Sequence, residues 1–550
     1  MDRLTANYVD IARREIFVAD IVWQDGIITR VDPLGPQRDG LPFLLPGFID
    51  AHVHIESSLL PPAEFGRLAV RQGTVATISD PHEIANVLGV DGVRFMLANA
   101  RQTPLHILFG APPCVPATSF ETAGATLSPA DIETLLDEPG IGYLSEVMNF
   151  PGVLAGDPDL MAKIAAAQQR GLPIDGHAPG LRGEEARRYA AAGITTDHEC
   201  VSLAEAEDKI AAGMTIIIRE GSAARNFAAL NPLLSKHPGR IMFCTDDCHP
   251  DDLQIGHINT LAARACAEGH DLFAVLEAAC LTPRTHYRLP LGMLKIGDPM
   301  TGTLVRDLTQ FNVIQTWIDG QTVFAAGETH LKPVPSQPIN KFSATPISAD
   351  ELAVSAPPNA TSCKVRVIIA EDGQLITRSE IHTLPSAGGQ LQPDSSRDIA
   401  LISVVNRYEK ATPAVAFIQG FGLREGAIAS SVAHDSHNIV AVGCDPESLM
   451  RAINAVIASQ GGLSVTDGTG HTDCLALPIA GLMSDGDGDQ IAQQFKTLTA
   501  KTRTILGSPM RSPLMALSFM ALLVIPALKL SDKGLFDGNA FRFCDIIADD

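Results

Sequence analysis

Between Pro46 and about His286 the sequence repeats one alternation: a short apolar run rich in β-branched residues, then an Ala-rich segment of helical character. Eight runs stand out: "FLLPGFIDAHVHI", "GTVATISDPHE", "PLHILFGAPP", "IGYLSEVMNF", "LPIDGHAPG", "ITTDHEC", "MTIIIREGS" and "IMFCTDDCHP". Segments between them, such as "PDLMAKIAAAQQRG" and "EEARRYAAAG", end at Gly, which accepts the left-handed conformation that stops a helix. Strands that alternate with helices pair in parallel, and eight such units close into a (β/α)8 barrel of the TIM type. The fold class predicted is therefore α/β, with the barrel over residues 46–286.

The flanks read differently. "IFVADIVWQDGIITRVDP" and "NVIQTWIDGQTVFAAG" look like short strands, so residues 1–45 and 287–335 are expected to form one small β domain beside the barrel. The Pro- and Ser-rich "KPVPSQPINKFSATPIS" reads as a linker, and residues 345–550 as a further α/β domain. The apolar "LMALSFMALLVIPALKL" is short for a membrane span and is broken by Pro526, so a buried core element is expected there. The formal charge of 41 − 63 = −22 opposes binding to nucleic acid or anionic lipid. The start has no basic region followed by an apolar one, and the ten cysteines form no C-x-x-C pair. Both features lead to the expectation of a cytoplasmic protein with reduced thiols.

In a (β/α)8 barrel, chemistry is built at the C-terminal ends of the strands. There this chain places His52 and His54, then Asp80, His82 and Glu83, then Glu146, His177, His198, and Asp246 with Asp247. His52 and His54 are two apart, so both point the same way from a strand, into the barrel mouth. A lone histidine after an apolar run is usually a core residue, and a lone H-x-H is weak. The set is more specific, because ligand types end the first, fourth, fifth, sixth and eighth runs. Histidine with carboxylate suits Zn, Fe or Mn, and four histidines with two carboxylates exceed the needs of one open catalytic metal. Two metals sharing a carboxylate would use them all.

The blocks "PGFIDAHVHIESS", "SDPHEIANV", "DGHAPG", "TDHE" and "TDDCHPDDL", with "GAIASSVAHDSHNIVAVG" and "LPIAGLMSD" downstream, resemble the adenine deaminase family of the amidohydrolase superfamily. The resemblance runs from about Leu45 to near the C-terminus. It implies that His52, His54 and Asp246 hold one divalent metal, that His177 and His198 hold the other, and that Glu146 bridges them where other superfamily members use a carboxylated Lys. It points to Mn or Fe, with Zn as the alternative. It also implies hydrolytic deamination of adenine to hypoxanthine and ammonia by a metal-bound hydroxide. In that reaction Asp246 would move the proton, as suits a carboxylate touching both metal and nucleophile, and Glu83 could protonate N1 of the ring.

Other readings compete. Dihydroorotase- or hydantoinase-like opening of a cyclic amide uses the same barrel, but usually with the bridging Lys. A mononuclear deaminase typically carries Glu three residues after the fifth-strand His, where this chain has Gly180. A non-catalytic relative would have lost ligands, and here all six positions are filled. A 6-aminopurine other than adenine remains open as substrate, and a homo-oligomer, taken as a dimer, is expected. Asp80 and His82 are read as pocket residues or holders of an additional metal, against the simpler role of Asp80 as a turn cap before Pro81. Glu83 has a salt-bridged loop residue as its plain alternative. His434, Asp435 and His437 are read as a lid over the barrel mouth, against a surface loop held by local hydrogen bonds.

Overall fold

A computed structural model describes residues 1–222 and 224–548. Eight parallel strands form the barrel: β1 (Phe48–His54), β2 (Thr74–Ser79), β3 (His106–Ala111), β4 (Ile141–Val147), β5 (Ile174–Gly176), β6 (Thr196–Asp197), β7 (Thr215–Arg219) and β8 (Ile241–Cys244). Pairing runs from β1 to β5 through Phe48↔Thr74, Ala76↔His106, Phe109↔Ile141 and Leu144↔Ile174. It continues from β6 to β8 through Thr196↔Thr215 and Ile216↔Ile241. The Thr195 N–H donates to Ile174 O at 2.8 Å and joins the two runs. The pair Asp246–Asp247, just past β8, lies parallel to β1 with Asp246 opposite Val53, which closes the ring. Strands buried on both faces explain why these runs are almost continuously apolar rather than alternating.

Polar groups beneath the mouth fix the strands against one another. Asp50 on β1 accepts from the Thr245 N–H at 3.0 Å and the His52 N–H at 3.3 Å, so the first and last strands share one carboxylate. The Tyr189 hydroxyl donates to Val147 O at 2.8 Å and accepts from the His177 N–H at 3.1 Å, tying β4 to the end of β5. These buried bonds hold the strand ends that carry the site.

Both flanks enter one eight-stranded sheet. Its order is Glu328–Thr329, Gln321–Ala325, Val313–Ile318, Gly302–Val305, Phe43–Pro46, Asp2–Asp10, Glu15–Gln24 and Ile27–Pro36. Trp23 and Trp317, from opposite flanks, meet edge to face at 6.0 Å within its core. Residues 332–348 hold no helix or strand, yet they are pinned: Asn99 Nδ2 donates to Ser336 Oγ, and Arg407 Nη2 to Asn340 Oδ1.

The C-terminal part is built on a nine-stranded sheet. Its helix Pro446–Ala458 starts with Pro at the first turn and is capped by Asp445, whose side chain accepts from the Ser448 N–H. One apolar core continues from the barrel (Ile55, Leu59, Leu60) into this part (Leu482, Met483, Phe495), so the two share their interior. Arg71 reaches Asp489 through two 2.8 Å bonds at their border. Within this sheet, the antiparallel strands Ala427–Ser430 and Ile439–Gly443 form a hairpin whose tip, residues 431–438, enters the barrel mouth. Among the described residues no helix is long and apolar enough to cross a membrane.

Candidate active site

Glu146, at the end of β4, sits centrally. Its Oε2 is 2.6 Å from His177 Nδ1 and 3.3 Å from His198 Nε2. Its Oε1 is 3.5 Å from His54 Nε2 and 3.2 Å from His82 Nδ1. The two oxygens thus face different histidine pairs. His52 Nε2 and His54 Nε2 lie 3.3 Å apart and 3.5 and 3.2 Å from Asp246 Oδ1. All six side chains expected as metal ligands converge here, and only His177 is more than slightly exposed. Burial would raise the pKa of Glu146, but the His177 and His198 rings hold it well below the usual carboxylate range.

Two neighbours of this cluster were not singled out from the sequence. Glu199 follows His198 and lies 3.5 Å from its Nε2. Arg219, the last residue of β7, forks between Glu199 and Asp246. Burial opposes ionisation of Asp246 too, and Arg219, with His52 and His54, overrides it and keeps the carboxyl well below its normal range. A signal for each is present in the sequence: "MTIIIREGS" also closes on charge, and Glu199 directly follows His198. Asp246 has φ of 59°, a left-handed conformation that non-glycine residues rarely adopt and that recurs at functional sites.

Asp80 and His82 both face the cluster. Asp80 accepts from the His82 N–H at 3.0 Å and from the Glu146 N–H at 3.2 Å, so it caps the turn and steadies Glu146 together. His82 stands between Glu146 and the C-terminal hairpin, with Nε2 3.3 Å from Glu83 Oε1 and 3.8 Å from Asp435 Oδ1. Glu83 is buried, and its two oxygens each meet an imidazole from that hairpin, Oε1 with His434 Nδ1 and Oε2 with His437 Nε2. Burial would raise the Glu83 pKa, yet His434, His437 and His82 hold it well below the carboxylate range. His434 in turn is opposed by burial, but Glu83 and then Asp247 push it up to about 9.

The segment Leu514–Leu530, expected in the core, is largely buried. Its turn nevertheless does more: Phe519, Leu522, Val524 and Ile525 line the pocket that holds the cluster. Phe519 lies flat on His434, ring centroids 4.7 Å apart and planes 11° apart. The pocket therefore has a charged floor from the barrel and an apolar wall from the C-terminal part.

The donor set suits divalent cations. Groups of three donors recur, among them His52, His54 and Asp246, and His52, Glu146 and His198, with ligand atoms within 4.8 Å of one another. His52 and His54 turn Nε2 toward Asp246 Oδ1, and His198 turns Nε2 toward Glu146 Oε2, so ring nitrogens and carboxylate oxygens face one another. Imidazole and carboxylate packed this closely, away from water, are what a cation would satisfy.

The amidohydrolase family model matches residues 43–323, and the adenine deaminase C-terminal domain model matches residues 374–542. An adenine deaminase of Salinibacter ruber is 53% identical over 99% of this chain and 99% of its own. One of Sulfurovum sp. is 51% identical over 98% and 99%. One of Methanosarcina mazei is 45% identical over the whole of both chains. With both halves matched and identity at this level from end to end, the chain belongs to the adenine deaminase family of the amidohydrolases.

Proposed function

We propose that the protein removes the exocyclic amino group of adenine by hydrolysis, giving hypoxanthine and ammonia. The observation that carries this reading is the division of Glu146, whose oxygens face separate histidine pairs beneath an apolar wall. His52, His54 and Asp246 would hold one divalent cation, His177 and His198 the second, and Glu146 both, with Mn or Fe as the metals of choice. Metal bound there lowers the pKa of water and so supplies a nucleophile at neutral pH.

This chain's own residues do the rest. The apolar turn of Phe519, Leu522 and Ile525 holds the purine plane and excludes water. Asp246 takes the proton of the attacking water and returns it to the departing amino nitrogen. Glu83 delivers a proton to N1 as electrons move onto the ring, and the second proton of the attacking water, lost as the C6 oxygen becomes a carbonyl, replaces it. His434, His437 and His82 hold the Glu83 carboxyl low, so the proton would reach it from the adjoining His434 ring, whose pKa Glu83 and then Asp247 push up to about 9. His434, Asp435 and His437 close the mouth above.

The test is a panel of purines and cyclic amides assayed for ammonia release and ring opening with Mn-reconstituted protein. Adenine should release ammonia fastest. Hydantoin or dihydroorotate opening without adenine turnover would overturn the proposal.

A further inference from the structure

The hairpin that enters the barrel mouth does more than cover it. His437 is held from several sides. Its Nδ1 accepts from the Ala433 N–H at 3.1 Å, so the ring proton sits on Nε2 and is donated to Glu83 Oε2. Its carbonyl accepts from Arg407 Nη1 at 3.3 Å. Arg407 is fully buried and also donates to Ala480 O at 2.8 Å and Asn340 Oδ1 at 2.7 Å, so three distant segments meet behind this one ring. His437 has φ of 57°, a left-handed conformation that is strained for an L-residue and persists only where its surroundings over-determine it. A loop that merely shields a pocket needs neither a fixed tautomer nor such support.

We propose that His437 is a positioning residue: the C-terminal part uses it to aim the Glu83 carboxylate at the purine ring, so the catalytic site is complete only when both parts of the chain are assembled. The proposal rests on the reading of Glu83 as the group that protonates N1.

The experiment compares His437→Leu, His437→Gln, Glu83→Gln and the double variant Glu83→Gln/His437→Leu, all full-length and Mn-loaded. His437→Leu should lower kcat about 100-fold, the scale of one general acid, and change KM by less than about threefold with metal content unchanged. His437→Gln keeps an N–H that can reach Glu83 and should recover at least about tenfold of that loss. The double variant should be no slower than Glu83→Gln, because His437 acts through Glu83. A rise in KM at constant kcat would reduce the hairpin to a cover and overturn the proposal. Equal defects in the Leu and Gln variants, or additive defects in the double variant, would overturn it as well. Full activity of Glu83→Gln would instead remove the N1 role of Glu83, whatever His437 does.

Discussion

Arg219 Nη1 lies 2.5 Å from Asp246 Oδ2, and the same guanidinium grips Glu199. The three groups are buried, and among the described residues the arginine is the one permanently charged cation that both carboxylates touch. Removing one partner of a buried ion pair typically costs about 3–5 kcal/mol, because the charge left behind has no water. Arg219→Met should therefore lower the unfolding temperature of the metal-free protein sharply. Arg219→Lys should recover only part of it, since an ammonium cannot fork between two carboxylates. Thermal denaturation decides, and a Met variant as stable as the parent would show that the pair contributes little.

Glu146→Gln removes the negative charge shared between the two histidine pairs. On the proposed two-metal reading, metal content should fall from about two equivalents to one or fewer, and turnover by about 10²- to 10³-fold, the equivalent of several kcal/mol of lost charge stabilisation. Elemental analysis beside the ammonia assay is the check. A variant holding both metals at full activity would place the bridge elsewhere.

Phe519 belongs to the wall rather than the reacting groups. Aromatic pairing is worth about 0.5–1.5 kcal/mol, so Phe519→Ala should raise KM for adenine by roughly 2- to 10-fold while kcat falls less. Steady-state kinetics would contradict the assignment if kcat collapsed while KM held.

Lys529 is fully buried and donates to Leu375 O at 2.7 Å and Phe519 O at 3.0 Å, beneath the pocket wall. Burial pushes its pKa down from 10.5 to about 7. Between those values the unfolded chain holds a proton that the folded one lacks, so stability rises with pH across that window. The penalty is fully present below about pH 7 and absent above the unfolded value. One such proton contributes a slope of at most about 1.4 kcal/mol per pH unit. Lys529→Met should flatten the rise between pH 7 and 9 in denaturant titrations, and an unchanged slope would refute the linkage.

Much of this protein was legible in its residues. The alternation of apolar runs and Ala-rich segments announced the barrel, because strand and helix periods are local properties. The spacing of His52 and His54, and the placement of Glu146, His177, His198 and Asp246 at run ends, pointed to one mouth, since the fold brings all strand ends to one face. Tertiary structure alone decided the rest. Glu83 meets His434 and His437 across 351 and 354 residues, a pairing that no local pattern encodes. Arg219 reads as the end of a strand until folding sets it between two carboxylates. The run around Phe519 has the composition of a core, and only packing determines that its turn faces a cleft. An apolar run has the same composition whether it fills a core or lines a cleft. Which surface the apolar turn covers is set by the hairpin and the barrel mouth that it meets.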